Sequence, residues 1–487
     1  MPRFSSYSII SDPLPGGGFI LLNGISGAMD LVSNELGHRI CDLLAGERKP
    51  EADDASSILD ERTRLSFEER GHVTELSAEE ERQMVVELAD VMHESAARMP
   101  RFMIVPNLDC NYRCSYCFER PLQNALKSPN AEISHEKSNV VLQSGQVEGI
   151  YKAIESIQLA AGRDPGGQII LYGGEPLDRR NHAVVEDIVK SGVARNYYFA
   201  AITNGHDLDA FIDLIGIGKI EQVQVSIDGP KDVHDKRRIY VGRESSFDAI
   251  ARNIDLVLEH CTAQVQIRVH VDPTNISLFE GLIDFFKHKG WLDRNDVIVY
   301  ANTVYEKTRE GKVTVEMEHS AIADRLNAIA RRHSNIHTSA PAVHASNAMR
   351  PAFEQGKRFS LKGTYCSANT GNYIFAPDSK VYACWESVGK ACSRVGSYES
   401  DGRLQMDDKA VSKWFKRSIA TVPGCQTCSY ALVCGGGCAQ YAEYNFGEPY
   451  RPYCDDFQTT FRKALAENAE YYLKQVTGIE ESNEGVR

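Results

Sequence analysis

The chain has no apolar run approaching the roughly 18 residues that a membrane-spanning helix needs, so no membrane partner is expected. It is short of positive charge, with 54 Lys and Arg against 67 Asp and Glu, a net −13. Phosphate binding requires a basic surface, which excludes nucleic acid as a principal partner. The opening MPRFSSYSII lacks the basic segment and apolar stretch of a secretory signal, which places the chain in the cytoplasm. No internal repeat is found. A reducing cytosol leaves little use for disulfides, so the 13 cysteines read as metal ligands or catalysts. With 487 residues of ordinary globular composition, two or three domains are expected.

Residues 1–98 read as a small separate domain. YSII and GFILLN form a hairpin about SDPLPGGG, and SNELGHRICDLLAG is a helix ended by Gly46. ERKPEADDASS is a loop, and SAEEERQMVVELADVMHESA is a helix whose Ser77 and Glu80 make a capping box. From 99 to 305, FMIVPNL, QIILYGG, YYFAAITNG, QVQVSID, QVQIRVHVD and VIVYAN are strands with helical stretches between them. Such alternation predicts a parallel sheet curled into an incomplete barrel, with ligands at the carboxyl ends of its strands. Residues 306–345 read as a helical linker. Residues 346–487 form the last domain; from Gly363 to Phe457 it is rich in Cys, Gly and Tyr with little helical period, and a C-terminal helix follows. Metal is expected to supply stability that its core cannot.

The stretch CNYRCSYCFE follows the first strand directly and spaces Cys110, Cys114 and Cys117 as C-x3-C-x2-C. Three thiolates suit a zinc ion with an open position, or three irons of a 4Fe–4S cubane whose fourth iron is free for a small molecule. YGGEP after the second strand and VSIDGP after the fourth bring Gly173, Gly174, Glu175, Pro176 and Ser226 to the same end of the sheet. Singly, the cysteine spacing also suits a structural metal loop, and GGEP a common turn. Their order within one β/α array is what singles them out.

Together these motifs resemble the radical S-adenosylmethionine (radical SAM) superfamily over residues 101–305. The resemblance implies that Cys110, Cys114 and Cys117 hold a 4Fe–4S cluster whose open iron is chelated by S-adenosylmethionine (SAM). It places Tyr116 and Phe118 beside the cluster and the adenine, Gly173, Gly174, Glu175 and Pro176 at the methionyl amino group, and Ser226 on SAM. The implied chemistry is reductive cleavage of SAM to a 5′-deoxyadenosyl radical, which takes a hydrogen from an unactivated carbon. HDKRR, with Arg238, matches a segment near SAM or substrate in relatives, and equally reads as a solvated charged loop. Arg268 reads as a contact to the SAM carboxylate or ribose, or as an ion-pair partner inside the barrel.

CQTCSYALVCGGGC, with Cys454 following, resembles the SPASM domain that carries auxiliary clusters in radical SAM proteins; its usual PDG turn is PDS here, at Ser379. The resemblance assigns Cys425, Cys428, Cys434 and Cys454 to one auxiliary 4Fe–4S cluster and Cys366, Cys384 and Cys438 to the other. Cys392 is a substitute fourth ligand for the second, which otherwise has an open iron. A pair of zinc knuckles is the alternative, although seven thiolates fill two tetrahedral sites poorly. The cofactors implied are thus three 4Fe–4S clusters and SAM, with an electron donor such as flavodoxin or ferredoxin.

The fold expected is α/β: a partial (β/α)6 barrel with an N-terminal winged-helix-like domain and a C-terminal Cys-rich SPASM domain. The first 98 residues are similar to the domain that binds leader peptides in enzymes modifying ribosomally made peptides; a structural cap on the barrel is the other reading. Their 9 Lys and Arg against 19 Asp and Glu speak against DNA. The function implied is oxidative modification of such a peptide, by a thioether or carbon–carbon crosslink. A maturase oxidising Cys or Ser of a protein is the alternative. There an Asp directly follows the second SPASM cysteine, whereas here Trp385 precedes Glu386, the candidate base. An iron–sulfur electron-transfer protein is a third reading.

Overall fold

The computed structural model describes residues 2–45, 54–119, 140–303 and 341–477, with Leu122 and scattered positions from 306 to 338. The N-terminal strands are β1 (Arg3–Phe4), β2 (Ser8–Ile10), β3 (Phe19–Asn23), β4 (Met29–Val32) and β5 (Val73–Thr74). The hairpin forms as expected: β2, β3 and β4 make an antiparallel sheet with Ile9 opposite Leu22, and β1 pairs with β5. The helix Ala78–Ala97 carries the reciprocal Ser77–Glu80 capping box. Part of the expected acidic loop is a short helix, Asp54–Ile58, while Gly46 and the start of that loop lie outside the described residues.

These 98 residues do not stand apart. Ile10, Leu21 and Val32 pack onto Ile40 and Phe67 of their own helices. On the other face of the sheet, Ile9, Ile20 and Leu22 pack onto Tyr430, Phe461 and Leu465 of the C-terminal region. The strands are apolar on both faces, so both must be covered.

The barrel strands are β6 (Arg101–Ile104), β7 (Gly167–Leu171), β8 (Tyr197–Thr203), β9 (Ile220–Ser226), β10 (Gln264–Val271) and β11 (Val297–Thr303). They pair in parallel in chain order. Successive crossovers of one hand put the helices on one face and leave the other as a barrel interior. On β10, Val265, Ile267, Val269 and Val271 enter the helix-side core, so Gln264, Gln266, Arg268 and His270 face inward. The interior is apolar near β6–β8, through Met103, Val105, Ile170 and Ile202, and polar near β9–β11.

Over 306–345, where a helical linker is expected, the described positions from 322 to 332 and from 341 on are helical, and three short strands lie among them. A small hairpin joins β12 (Glu306–Lys307) to β13 (Val313–Thr314), and β14 (Ile336–Thr338) adds a parallel strand to β11, covering its edge. On the opposite edge, β15 (Asn372–Phe375) pairs in parallel with β6. The sheet continues through β16 (Lys380–Tyr382), β17 (Arg394–Tyr398) and β18 (Leu404–Met406) to eleven strands. The Cys-rich region therefore has a core after all, because Phe375, Val381, Val395 and Trp414 join that of the barrel. Long-range strand pairing supplies what helical period did not reveal.

Candidate active site

Beyond Ile104 the chain turns into the cysteine loop over the carboxyl ends of the strands. Cys110 and Cys114 are buried and Cys117 is partly buried. Three neighbouring strand ends hold the loop. From β7, Gly174 N–H donates to Asn107 O at 3.0 Å and Glu175 N–H to Asp109 O at 3.0 Å. From β8, Asn204 Nδ2 donates to Asn111 Oδ1 at 2.6 Å and reaches Cys110 Sγ at 3.9 Å. Beyond β9, Arg113 N–H donates to Ile239 O at 2.8 Å and Ser115 N–H to Arg237 O at 3.0 Å. HDKRR is therefore not a solvated loop: it enters the helix Lys231–Arg237 and lines the cysteine loop, with His234 and Arg238 buried.

The two glycines of YGGEP serve this loop-on-loop contact. A Cβ on Gly174 would lie 2.2 Å from Asp109 O, and one on Gly173, at φ +139°, would lie 2.6 Å from Asn107 O. Gly174→Ala is expected to cost on the order of 1–3 kcal/mol by overpacking and to displace the cysteine loop. Iron binding and the midpoint of thermal unfolding should both fall, whereas Gly145→Ala, with open space around its Cβ, should change neither. Glu175 is buried, and its carboxylate accepts from Thr203 Oγ1 and Asn204 N at 2.6 Å and from Leu177 N at 2.8 Å. Burial pushes it up to about 7. Its observed contacts thus anchor the loop to β8. Pro176 is buried beside it.

Around Tyr116 lies a polar cluster built on Asp228, which is wholly buried. Tyr116 Oη donates to Asp228 Oδ2, and Arg238 Nη1 donates to Tyr116 Oη at 2.6 Å. His270 donates its backbone N–H to Asp228 Oδ1 at 3.1 Å and its ring Nδ1–H at 3.0 Å. Burial opposes ionisation of Asp228, but His270 and the Arg238 guanidinium outweigh it and hold the carboxyl well below its usual range. Burial lowers His234 and His270 to about 4, so both are neutral at pH 7. Phe118 packs with the apolar interior cluster of Leu108, Leu122 and Tyr172.

Ser226, Arg268 and Tyr300 occupy matching positions on β9, β10 and β11 and form one row across the interior. Among the described residues Arg268 makes no ion pair, and its buried Nε has no hydrogen-bond partner; Arg238 Nε is also buried without one. Guanidinium N–H groups beside a polar interior suit a carboxylate or another anion. Burial raises the Cys110 and Cys114 thiols and pushes Cys117 up to about 12. Such thiols ionise only when a cation takes their charge, as cluster iron does. This donor set fits a three-thiolate cluster with a zwitterionic ligand beside it.

Neighbouring thiols influence one another among the late cysteines. Cys384 is raised first by burial, then by the neighbouring Cys438 and Cys366. Cys425 is pushed up to about 12 by burial and by Cys434, Cys428 and Cys454 nearby. Cys392 lies near Tyr444, which also neighbours Cys384 and Cys438. Both cysteine regions meet at Tyr172: Glu119, two residues past Cys117, is hydrogen-bonded to it, and Trp385 stacks on its ring at 6.0 Å. Glu386 also lies near Tyr172, as well as near Cys384 and Cys438.

Sequence reasoning passed over Asn204, Asp228 and His270. Each ends or follows a strand already assigned, so a strand-end rule would have found Asn204 in AITNG and Asp228 in VSIDGP.

The chain carries a radical SAM domain: residues 104–286 match the radical SAM superfamily. It is 22% identical over 368 residues, 74% of this chain and 93% of the relative, to the cysteine-type anaerobic sulfatase-maturating enzyme of Clostridium novyi (strain NT). Among solved structures, native anSMEcpe with bound AdoMet has the same fold, with a TM-score of 0.55 at 17% identity over 78% of this chain and 100% of that one. Streptococcus suis SuiB covers 92% of this chain and 98% of its own, with a TM-score of 0.48 and 12% identity. Among the described residues, no helix is long and apolar enough to cross a membrane.

Proposed function

We propose that this chain is a radical SAM maturase with two auxiliary clusters, which oxidatively modifies a ribosomally made peptide by forming a thioether or carbon–carbon crosslink. The observation that supports the reading is the contact at Tyr172, on which Glu119 from the first cysteine loop and Trp385 and Glu386 from the segment after Cys384 converge. When bound, the cluster and SAM supply a 5′-deoxyadenosyl radical. The residues of the chain do the rest. Cys110, Cys114 and Cys117 hold the cluster, while Arg238, Arg268 and Ser226 orient SAM through its carboxylate and ribose. Met103, Val105, Ile170 and Ile202 keep water from the apolar side. Glu386 accepts the substrate proton. Cys425, Cys428, Cys434 and Cys454 hold one auxiliary cluster and Cys366, Cys384 and Cys438 the other, with electrons exchanged with a flavodoxin or ferredoxin.

A leader segment would dock on β4. It is an edge strand of its sheet, and its Leu31 is 56% exposed. A second reading is oxidation of a Cys or Ser on a protein. The 22% identity to a sulfatase-maturating enzyme over 93% of its length favours it.

The test uses anaerobically reconstituted protein, dithionite, SAM and cysteine-containing peptides with and without a leader. The expected result is 5′-deoxyadenosine and a leader-dependent product lighter by two hydrogens. Glu386→Gln should still form 5′-deoxyadenosine but lose at least tenfold in peptide product. Intact SAM and bound zinc would overturn the reading, and leader-independent oxidation of a folded protein would favour the second one.

A further inference from the structure

A buried cation without a carboxylate lies between the two auxiliary cysteine groups. Arg417 is 1% exposed. Among the described residues it forms no ion pair; its guanidinium donates only to backbone carbonyls. Nε donates to Pro449 O, Nη1 to Gly437 O at 2.9 Å, and Nη2 to Gly436 O at 2.8 Å and Arg451 O at 3.3 Å. Gly436 and Gly437 belong to the three-glycine link from Cys434 of one group to Cys438 of the other. Pro449 and Arg451 lead into Cys454. The fork thus ties together the segments that present three of the ligands. Contact between those segments is close, since a Cβ on Gly437 would lie 1.9 Å from Tyr453 O.

A buried charge is costly unless an opposite charge compensates it, and carbonyl dipoles supply only part of that. The ionisable groups facing Arg417 include Tyr450 and cysteines of both groups. Burial lowers its pKa, and Cys425, Cys438, Cys366 and Cys434 pull it back up. Three or four thiolates around a 4Fe–4S core leave a net negative charge that grows on reduction. A fixed cation between two such centres favours the reduced form of each.

We propose that Arg417 is a positioning residue that raises the reduction potentials of both auxiliary clusters, keeping them able to accept the single electron that substrate oxidation releases. This rests on the two-cluster reading given above. The test is a potential titration, followed by electron paramagnetic resonance, of wild-type, Arg417→Gln and Arg417→Lys holoproteins, each with iron and sulfide counted.

In Arg417→Gln, both auxiliary couples should shift negative by at least tenfold in their equilibrium constants, about 59 mV for one electron. The SAM cluster should be unchanged, and Arg417→Lys should stay near wild type. If Arg417→Gln fails to load iron while Arg417→Lys loads with wild-type potentials, the charge is still required and the proposal stands. It is overturned if a fully loaded Arg417→Gln keeps wild-type potentials, if Arg417→Lys shifts as far as Arg417→Gln, or if both fail to load. Wild-type protein holding about four irons rather than about twelve would overturn the two-cluster reading itself, and this proposal with it.

Discussion

Cys114→Ala is expected to bind about four irons fewer than wild type and to form no detectable 5′-deoxyadenosine from SAM and dithionite. Cys114 is buried in the main core, and its thiol is raised by burial, so in the apoprotein it behaves as a small apolar side chain. Its loss alone should cost about 1 kcal/mol of stability, too little to unfold the chain. The auxiliary groups lie on other segments and should keep their irons. The outcome therefore separates a lost cluster from a lost fold, and the measurement is an iron and sulfide count beside product chromatography. Residual turnover with a full iron count would remove Cys114 from the site.

Asp228→Ala is expected to destabilise the protein by about 3–5 kcal/mol, because it leaves the buried Arg238 without its nearest carboxylate. The ion pair spans 3.9 Å and is bridged by Tyr116, which bonds to both partners. Asp228 also joins three strand-end segments. Its backbone N–H donates to His234 Nδ1 at 3.2 Å and its carbonyl accepts from Asn275 Nδ2 at 2.8 Å. Thermal unfolding of Asp228→Ala, Arg238→Ala and the double variant gives the coupling directly. The double variant should be less destabilised than the sum of the singles, and strict additivity would show that the pair is not coupled.

The same cluster sets a pH dependence. His234 and His270 are lowered from 6.5 to about 4, so their contribution is complete above about 6.5 and lost as pH falls toward 4. Asp228, depressed below its unfolded value of 3.8, adds a loss only below that range. The unfolding midpoint should thus fall between pH 6.5 and 4.5, and less steeply in His234→Gln. A parallel fall in both proteins would place the sensitivity elsewhere.

The sequence by itself determined the strand order of the barrel, the three-cysteine loop after its first strand and the glycine-rich loop after its second. Each is local: a hydrophobic period or a ligand spacing is written within a few to a few tens of residues. The strands that continue the sheet on both edges were not legible, because β14 and β15 are short and pair with partners distant in sequence. Nor was the docking of residues 1–98, since an apolar face does not say what will cover it.

Only the tertiary structure decided which charges are buried and against what. Tyr116, Arg238 and His270 converge on Asp228 from three other segments, and Arg417 reaches carbonyls on either side of Cys438. A charged residue reads alike in sequence whether it is solvated or buried. What separates the two is the desolvation that folding imposes and the partners that meet it, and those come together only when distant strand ends meet.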